Sequence, residues 1–197
     1  MKIRLLFILF FASTSLVAQE QWKLRKEANG IKVFIKNEES TSLNSFKAVT
    51  KVKAPIEKVL KVIIDAPQFE QDNIESAVTY KVRRIDSTHH LYYFKNKLPW
   101  PIRNRDNVSI VEIEKVSDTI IKCNISAFDE SIPKEKNTIR VSNLKGFWLL
   151  EEKDGYTMVS QELFIDPGGS IPAFIVNSLL HKGPYNTFLA LKREVEI

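Results

Sequence analysis

The chain is poor in the residues that carry most catalytic chemistry and most covalent bracing. Cys123 is the single cysteine, so no internal disulfide can form and cysteine usage is silent about redox compartment. The three histidines, His89, His90 and His181, show no metal-ligand spacing. His89 and His90 are neighbours that a strand would turn to opposite faces, so they do not share an ion. No nucleophile elbow is present either, because Gly168-Gly169-Ser170-Ile171-Pro172 lacks glycines two positions on either side of its serine. Neither a metal nor a cofactor is expected. Dense Lys/Arg blocks are also missing, which removes nucleic acid from the expected partners. The acidic pairs Asp129-Glu130 and Glu151-Glu152 sit beside turns and read as solvated faces.

Long hydrophobic runs are missing as well. Leu5 to Ala12 follows Lys2 and Arg4 and precedes the small, polar stretch Ser13 to Ala18, the order of a secretory signal peptide. A membrane span needs about 20 apolar residues, roughly twice this run. Residues 1–18 are therefore expected to be a cleaved leader and residues 20–197 one domain, exported to the periplasm or the extracellular space. With 44% hydrophobic residues the chain can bury a core at this length. The net charge of +5 falls to about +3 once Lys2 and Arg4 are removed, a mild excess that favours weak, transient contact with anionic membrane surfaces. A monomer is expected.

Along the chain, a short amphipathic helix from Glu20 to Ala28 is expected, anchored by Trp22 and ended by Asn29-Gly30. Two strands, Ile31 to Lys36 and Leu43 to Val52, precede a helix opened by Ala54-Pro55 that carries Ile56, Val59, Leu60 and Ile63 on one face. Six further strands follow, at Ser76–Ile85, His90–Lys97, Asn107–Val116, Thr119–Phe128, Thr138–Leu150 and Tyr156–Ile165. Their short polar turns imply hairpins and an antiparallel sheet. Asp166-Pro167-Gly168-Gly169-Ser170 then leads into a long C-terminal helix that Ser170 is placed to cap. Its apolar stripe includes Ile171, Phe174, Ile175, Leu179, Tyr185, Phe188 and Leu189, with a kink expected at Gly183-Pro184. The order describes an α+β fold in which a curved antiparallel sheet wraps a long last helix.

Several segments carry a further signal. Trp22 with Asn29-Gly30-Ile31-Lys32-Val33, Lys53-Ala54-Pro55, the stretch Leu98-Pro99-Trp100-Pro101-Ile102-Arg103-Asn104-Arg105-Asp106, Gly146-Phe147-Trp148, and Asp166-Pro167-Gly168-Gly169-Ser170-Ile171-Pro172 with Asn177 occur in that order. Together they resemble the START (steroidogenic acute regulatory protein-related lipid transfer) domain over nearly the whole expected mature chain. The resemblance implies a helix-grip fold whose C-terminal helix closes an apolar tunnel that binds one lipid or sterol-like molecule. Between Gln68 and Ile74, where many relatives place a tryptophan, this chain has Phe69 and Asp72-Asn73.

Candidate ligand contacts follow from these readings. Arg105 and Asp106 can orient a headgroup or hydroxyl by charge-assisted hydrogen bonds, or tie a long loop to the next strand. Ile121, Cys123 and Ile125 share one face of their strand and are taken as tunnel lining, with Tyr93 among the aromatics and Phe174 and Leu179 from the last helix. The expected function is binding, and transfer, of a hydrophobic ligand without catalysis. The rival is an enzyme of the same architecture, of the aromatase or cyclase kind, in which Arg105, Tyr93 or Glu162 would act on a bound chain.

Overall fold

The computed structural model describes residues 22–65, 77–98, 100–128 and 132–196. The expected leader, the Gln68–Ile74 stretch, Pro99 and Asp129-Glu130 lie outside the described residues. The chain runs β1 (Lys23–Ala28), β2 (Ile31–Asn37), β3 (Asn44–Val52), α1 (Ile56–Asp65), β4 (Ala77–Arg84), β5 (His89–Asn96), β6 (Asn104–Ser117) and β7 (Ile120–Ala127). It continues through β8 (Thr138–Arg140), β9 (Asn143–Lys153), β10 (Tyr156–Asp166), α2 (Ala173–Leu179) and α3 (Lys182–Val195). The strands form one curved sheet in the order β1-β2-β3-β10-β9-β7-β6-β5-β4, with β8 beside β6 off that path. Every pairing is antiparallel except β8 with β6, which is parallel.

The hairpins form where the turn residues expect them. Asn29-Gly30 (φ 54° and 72°) and Asp154-Gly155 (φ 54° and 75°) both place two successive residues in the left-handed region, as a tight hairpin demands. The first of these joins two strands, so the described part of the segment expected as a helix over Glu20–Ala28 is a strand. Lys23–Ala28 is an edge strand whose backbone groups pair with β2, through a register shift between Leu24 and Lys26. An alternating charged segment serves either period, and the neighbouring strand decides it; lysines and an irregular register also blunt a sheet edge against further pairing. The single strand expected over Thr138–Leu150 is likewise two, β8 and β9.

The C-terminal helix is broken. Pro184 has no N–H for the carbonyl of Leu180, and its ring would clash there, so α2 ends at Leu179 and Pro184 falls in the first turn of α3, where no donor is needed. The interruption therefore precedes Gly183-Pro184. Ser170 is not the cap: the N-cap of α2 is Pro172, with no side-chain capping bond.

The core lies between the concave face and the helices. Tyr185, Phe188, Leu191 and Val195 recur at helical spacing on α3 and are all buried. Phe188 stacks on Trp148 of β9 with ring centroids 5.2 Å apart, a contact whose loss in Phe188→Ala would cost about 3–5 kcal/mol. The N-terminus of α1 is met by Glu152 from β9, whose Oε2 accepts from Ile56 N–H at 2.9 Å. A carboxylate there satisfies an orphan donor and suits the helix dipole, so Glu152 has a fixed role and is not merely a solvated acid.

Candidate ligand-binding site

Six strands place one residue each in a row across the concave face: Ile113, Cys123, Trp148, Gln161, Ala48 and Val33. On the side of this row toward the start of α1, the helices and sheet pack into a continuous core. On the other side they part, and a cavity of about 590 Å³ remains. Alternation on β6 turns Arg105, Asn107, Ser109 and Val111 into it, and alternation on β10 turns Gln161, Leu163 and Ile165 into it. Ile63 and Ile64 of α1 face it, as do Ile175, Val176 and Leu179 of α2. Gly146 sits in register between Ile125 and Leu163. A Cβ at this position would collide with the Glu162 carbonyl and Leu163, so β9 and β10 approach too closely there for any other residue.

Two devices hold α2 over this space. Gly168 (φ 63°) and Gly169 (φ 71°) form the turn after β10, and Gly168 N–H donates to Asp166 Oδ1 at 2.9 Å. Beneath the turn, Arg105 donates from Nη2 to Gly168 O at 3.1 Å and from Nε to Pro167 O at 3.4 Å, and from Nη1 to Arg103 O. At the far end, Asn177 Nδ2 donates to Ser42 O at 2.9 Å while its Oδ1 accepts from Asn44 N–H at 3.0 Å. The left-handed Gly169 excludes proline, whose φ is locked near −65°, so stiffening the turn by Gly169→Pro would break it instead.

Arg105 and Asp106 do not form a charge pair. Adjacent strand residues face opposite ways, and Asp106 sends its carboxylate to the convex side. There Arg140 Nε reaches Oδ1 at 2.8 Å and Nη2 reaches Oδ2 at 3.0 Å, while Tyr93 O–H donates to Oδ2 at 3.1 Å. Asp106 borders the cavity, but its charge is spent on Arg140. Arg105 remains on the concave side, 6% exposed, bonded only to carbonyl oxygens among the described residues. Burial, and then the neighbouring Arg103, weaken its hold on its proton.

The eight expected contact residues thus divide. Arg105, Asp106, Ile125 and Leu179 border the cavity. Tyr93 does not: it lies on the convex face with Leu91 and Val108. Ile121 and Cys123 are on the concave face, as alternation requires, but inside the packed core. Burial pushes the Cys123 thiol up to about 12. Phe174 is 73% exposed and points away from the cavity. Gln161, Asn107 and Ser109 also border the cavity and were not among the expected contacts, although each is a polar residue in the inward phase of its strand. Asn107 donates to Val141 O at 2.8 Å and accepts from Ser109 Oγ. The chain also carries two Asn-x-Ser triplets, Asn107-Val108-Ser109 and Asn124-Ile125-Ser126, and both lie on strands, β6 and β7, where a glycosylation acceptor wants an exposed loop. Among the described residues no group of three or more His, Cys, Asp or Glu could hold a metal, and no helix is long and apolar enough to cross a membrane.

A sheet gripping a helix, with a cavity left under the preceding helical segment, is the architecture that the sequence motifs suggested. The sequence itself matches the START domain across residues 10–195. The chain belongs to the START domain family. An uncharacterized protein of Pseudomonas aeruginosa is 31% identical over 178 residues, covering 90% of this chain and 88% of that one. The phosphatidylcholine transfer protein of Bos taurus is 25% identical over 172 residues, covering 84% and 79%. Among solved structures, a STAR-related lipid transfer protein fragment from Xanthomonas axonopodis superposes with a TM-score of 0.79 at 30% identity, covering 89% of this chain and 99% of that one. This START chain thus has the helix-grip fold of a family whose members generally bind lipids or other hydrophobic ligands.

Proposed function

We propose that this START domain binds one lipid molecule in the cavity beneath α2 and exchanges it at a membrane surface. The observation that carries the reading is the cavity itself. Its volume falls in the range that holds small ligands, its walls are largely aliphatic and aromatic, and Arg105 is the one cation that borders it among the described residues. The polar end of the ligand meets Arg105, and α2, hinged at Gly168-Gly169 and latched by Asn177, closes over the rest.

Exposed apolar side chains beside the cavity support contact with a membrane. Trp100 is 93% exposed in the loop next to Ile102, and Phe174 and Leu179 are 73% and 51% exposed on α2. Lys97, Arg103 and Lys182 are exposed beside them. Aromatic rings with flanking cations suit the headgroup region of an anionic bilayer. The order of charge and apolarity in Met1–Ala18 supports export to the periplasm or the extracellular space. An enzyme of this architecture would need an acid or base in the cavity, and among the described residues the one carboxylate bordering it is held by Arg140.

Native mass spectrometry of the purified protein, with extraction and identification of what co-purifies, tests the binding. A stoichiometric lipid is expected; a ligand-free protein that takes up no lipid from vesicles would refute it. Sedimentation with phosphatidylglycerol vesicles tests the surface, and Trp100→Ser should weaken it. N-terminal sequencing of exported protein, expected to begin at Gln19, tests the leader.

A further inference from the structure

Gln161 has no reason to be where it is if the ligand is polar at one end only. It is 8% exposed, lines the cavity, and among the described residues its side-chain amide has no hydrogen-bond partner. Its amide is not among the sealed unpaired atoms, so it opens on the cavity, and a ligand that fills the cavity must pair with it or leave it desolvated. Its cross-strand neighbour is Trp148, whose indole N–H also lacks a protein acceptor among the described residues. The two sit at the inner limit of the cavity, since the next inward residues along their strands, Val159 and Leu150, belong to the closed core. Arg105 is at the other end, bonded to Pro167 beyond the last residue of β10. From Gln161 to Pro167 the strand advances about 20 Å at the ordinary rise per residue. Between these poles the inward residues of β10 are Leu163 and Ile165.

We infer that the ligand has two polar ends: a headgroup that meets Arg105, and a second, uncharged hydrogen-bonding oxygen, hydroxyl or carbonyl, that meets Gln161 at the inner end of its apolar body. The inference rests on the binding function proposed above and specifies the ligand's chemistry. An amide can donate to and accept from a hydroxyl at once, whereas it offers nothing to a terminal methyl. A plain acyl chain reaching this depth would leave the amide desolvated and unpaired, and a chain bearing an oxygen there would satisfy it. No ionised group is implied at this end, because the described cavity wall around Gln161 carries no charge to meet one.

Two probes of equal length separate these cases: hexadecanoic acid and 16-hydroxyhexadecanoic acid, titrated calorimetrically into delipidated protein below their micellar concentrations. Wild type is expected to bind the hydroxy acid about tenfold more tightly, the scale of one well-made hydrogen bond in a desolvated site. In Gln161→Leu the ratio should fall to one or invert, since the hydroxyl would then be buried without a partner. Equal affinities in wild type would overturn the inference and leave the binding function standing, and so would a tenfold preference that survives in Gln161→Leu. If neither acid nor any vesicle lipid binds, the binding function fails and the inference fails with it.

Discussion

Asp106 separates two roles that its position on the strand makes equally plausible, and substitution by asparagine distinguishes them. If Asp106 orients a ligand, Asp106→Asn should weaken binding and leave stability near wild type. The structure assigns it to Arg140 instead, with both side chains nearly inaccessible, at 1% and 3% exposure. Asparagine keeps the shape, retains one acceptor for Arg140 and removes the charge, so a buried guanidinium is left without its counter-ion. Breaking a buried pair from one side costs about 3–5 kcal/mol. The lower part of that range applies, because Arg140 keeps the carbonyls of Ile132 at 3.1 Å and Pro133 at 3.4 Å, and Tyr93 keeps Glu135 at 3.2 Å. About 3 kcal/mol should lower the melting temperature by roughly 6–12 °C for a chain of this size. Urea unfolding should show a reduced midpoint with an unchanged slope. The double variant Asp106→Leu with Arg140→Met removes both charges and should be clearly more stable than Asp106→Asn, since an apolar replacement of a buried pair is often neutral or better. A loss under 1 kcal/mol in Asp106→Asn, or a double variant as unstable as the sum of its singles, would refute the assignment.

Three further outcomes follow from the same geometry. Asn177→Leu removes both bonds that latch α2 to Ser42 and to Asn44 at the start of β3 and should cost about 1–3 kcal/mol while accelerating ligand exchange in stopped-flow displacement; an unchanged exchange rate would show that α2 is not the gate. Cys123 is fully buried in the core with its thiol held up to about 12, so it should resist thiol reagents at pH 8 until the protein unfolds, and Cys123→Trp should destabilise by about 1–3 kcal/mol or more through overpacking; rapid labelling of native protein would contradict this. His181 is held below its ordinary 6.5 by burial, then by Arg25, Lys26 and Lys182. The folded state therefore binds its proton less readily than the unfolded state does, so this contribution is intact above about pH 6.5 and is lost as pH falls through the unfolded value toward the folded one. His181→Gln should flatten the decline of melting temperature between about pH 7 and pH 5, and an unaltered slope would remove His181 from the cause.

Much of the architecture is local and was legible in the sequence. Asn29-Gly30 and Lys153-Asp154-Gly155 dictate hairpins because few other residues take successive left-handed conformations, and hairpins at short spacing dictate an antiparallel sheet. The amphipathic spacing in Ile56–Ile63 and Tyr185–Leu189 marks the helices, and Asp166-Pro167-Gly168-Gly169 marks the turn over the cavity. Alternation also put Ile121, Cys123 and Ile125 on the concave face. The same rule, applied to Arg105 and Asp106, would have separated them, and applied to β10 it would have singled out Gln161.

What alternation cannot say is how far along a strand the helix above it extends. Cys123 and Gln161 stand in one row across the sheet, yet one is sealed in the core and the other borders the cavity, because that depends on where α1 and α3 come down on a curved surface. The partner of Asp106 was equally out of reach, since Arg140 is brought to it only by the parallel pairing of β8 with β6. Lys23–Ala28 became a strand because β2 offered an edge. The sequence by itself determined which faces are apolar and where the chain turns, since both depend on a few adjacent residues. Tertiary structure alone decided which of those faces meet and where they leave a gap, because packing distant surfaces is a property of the closed fold.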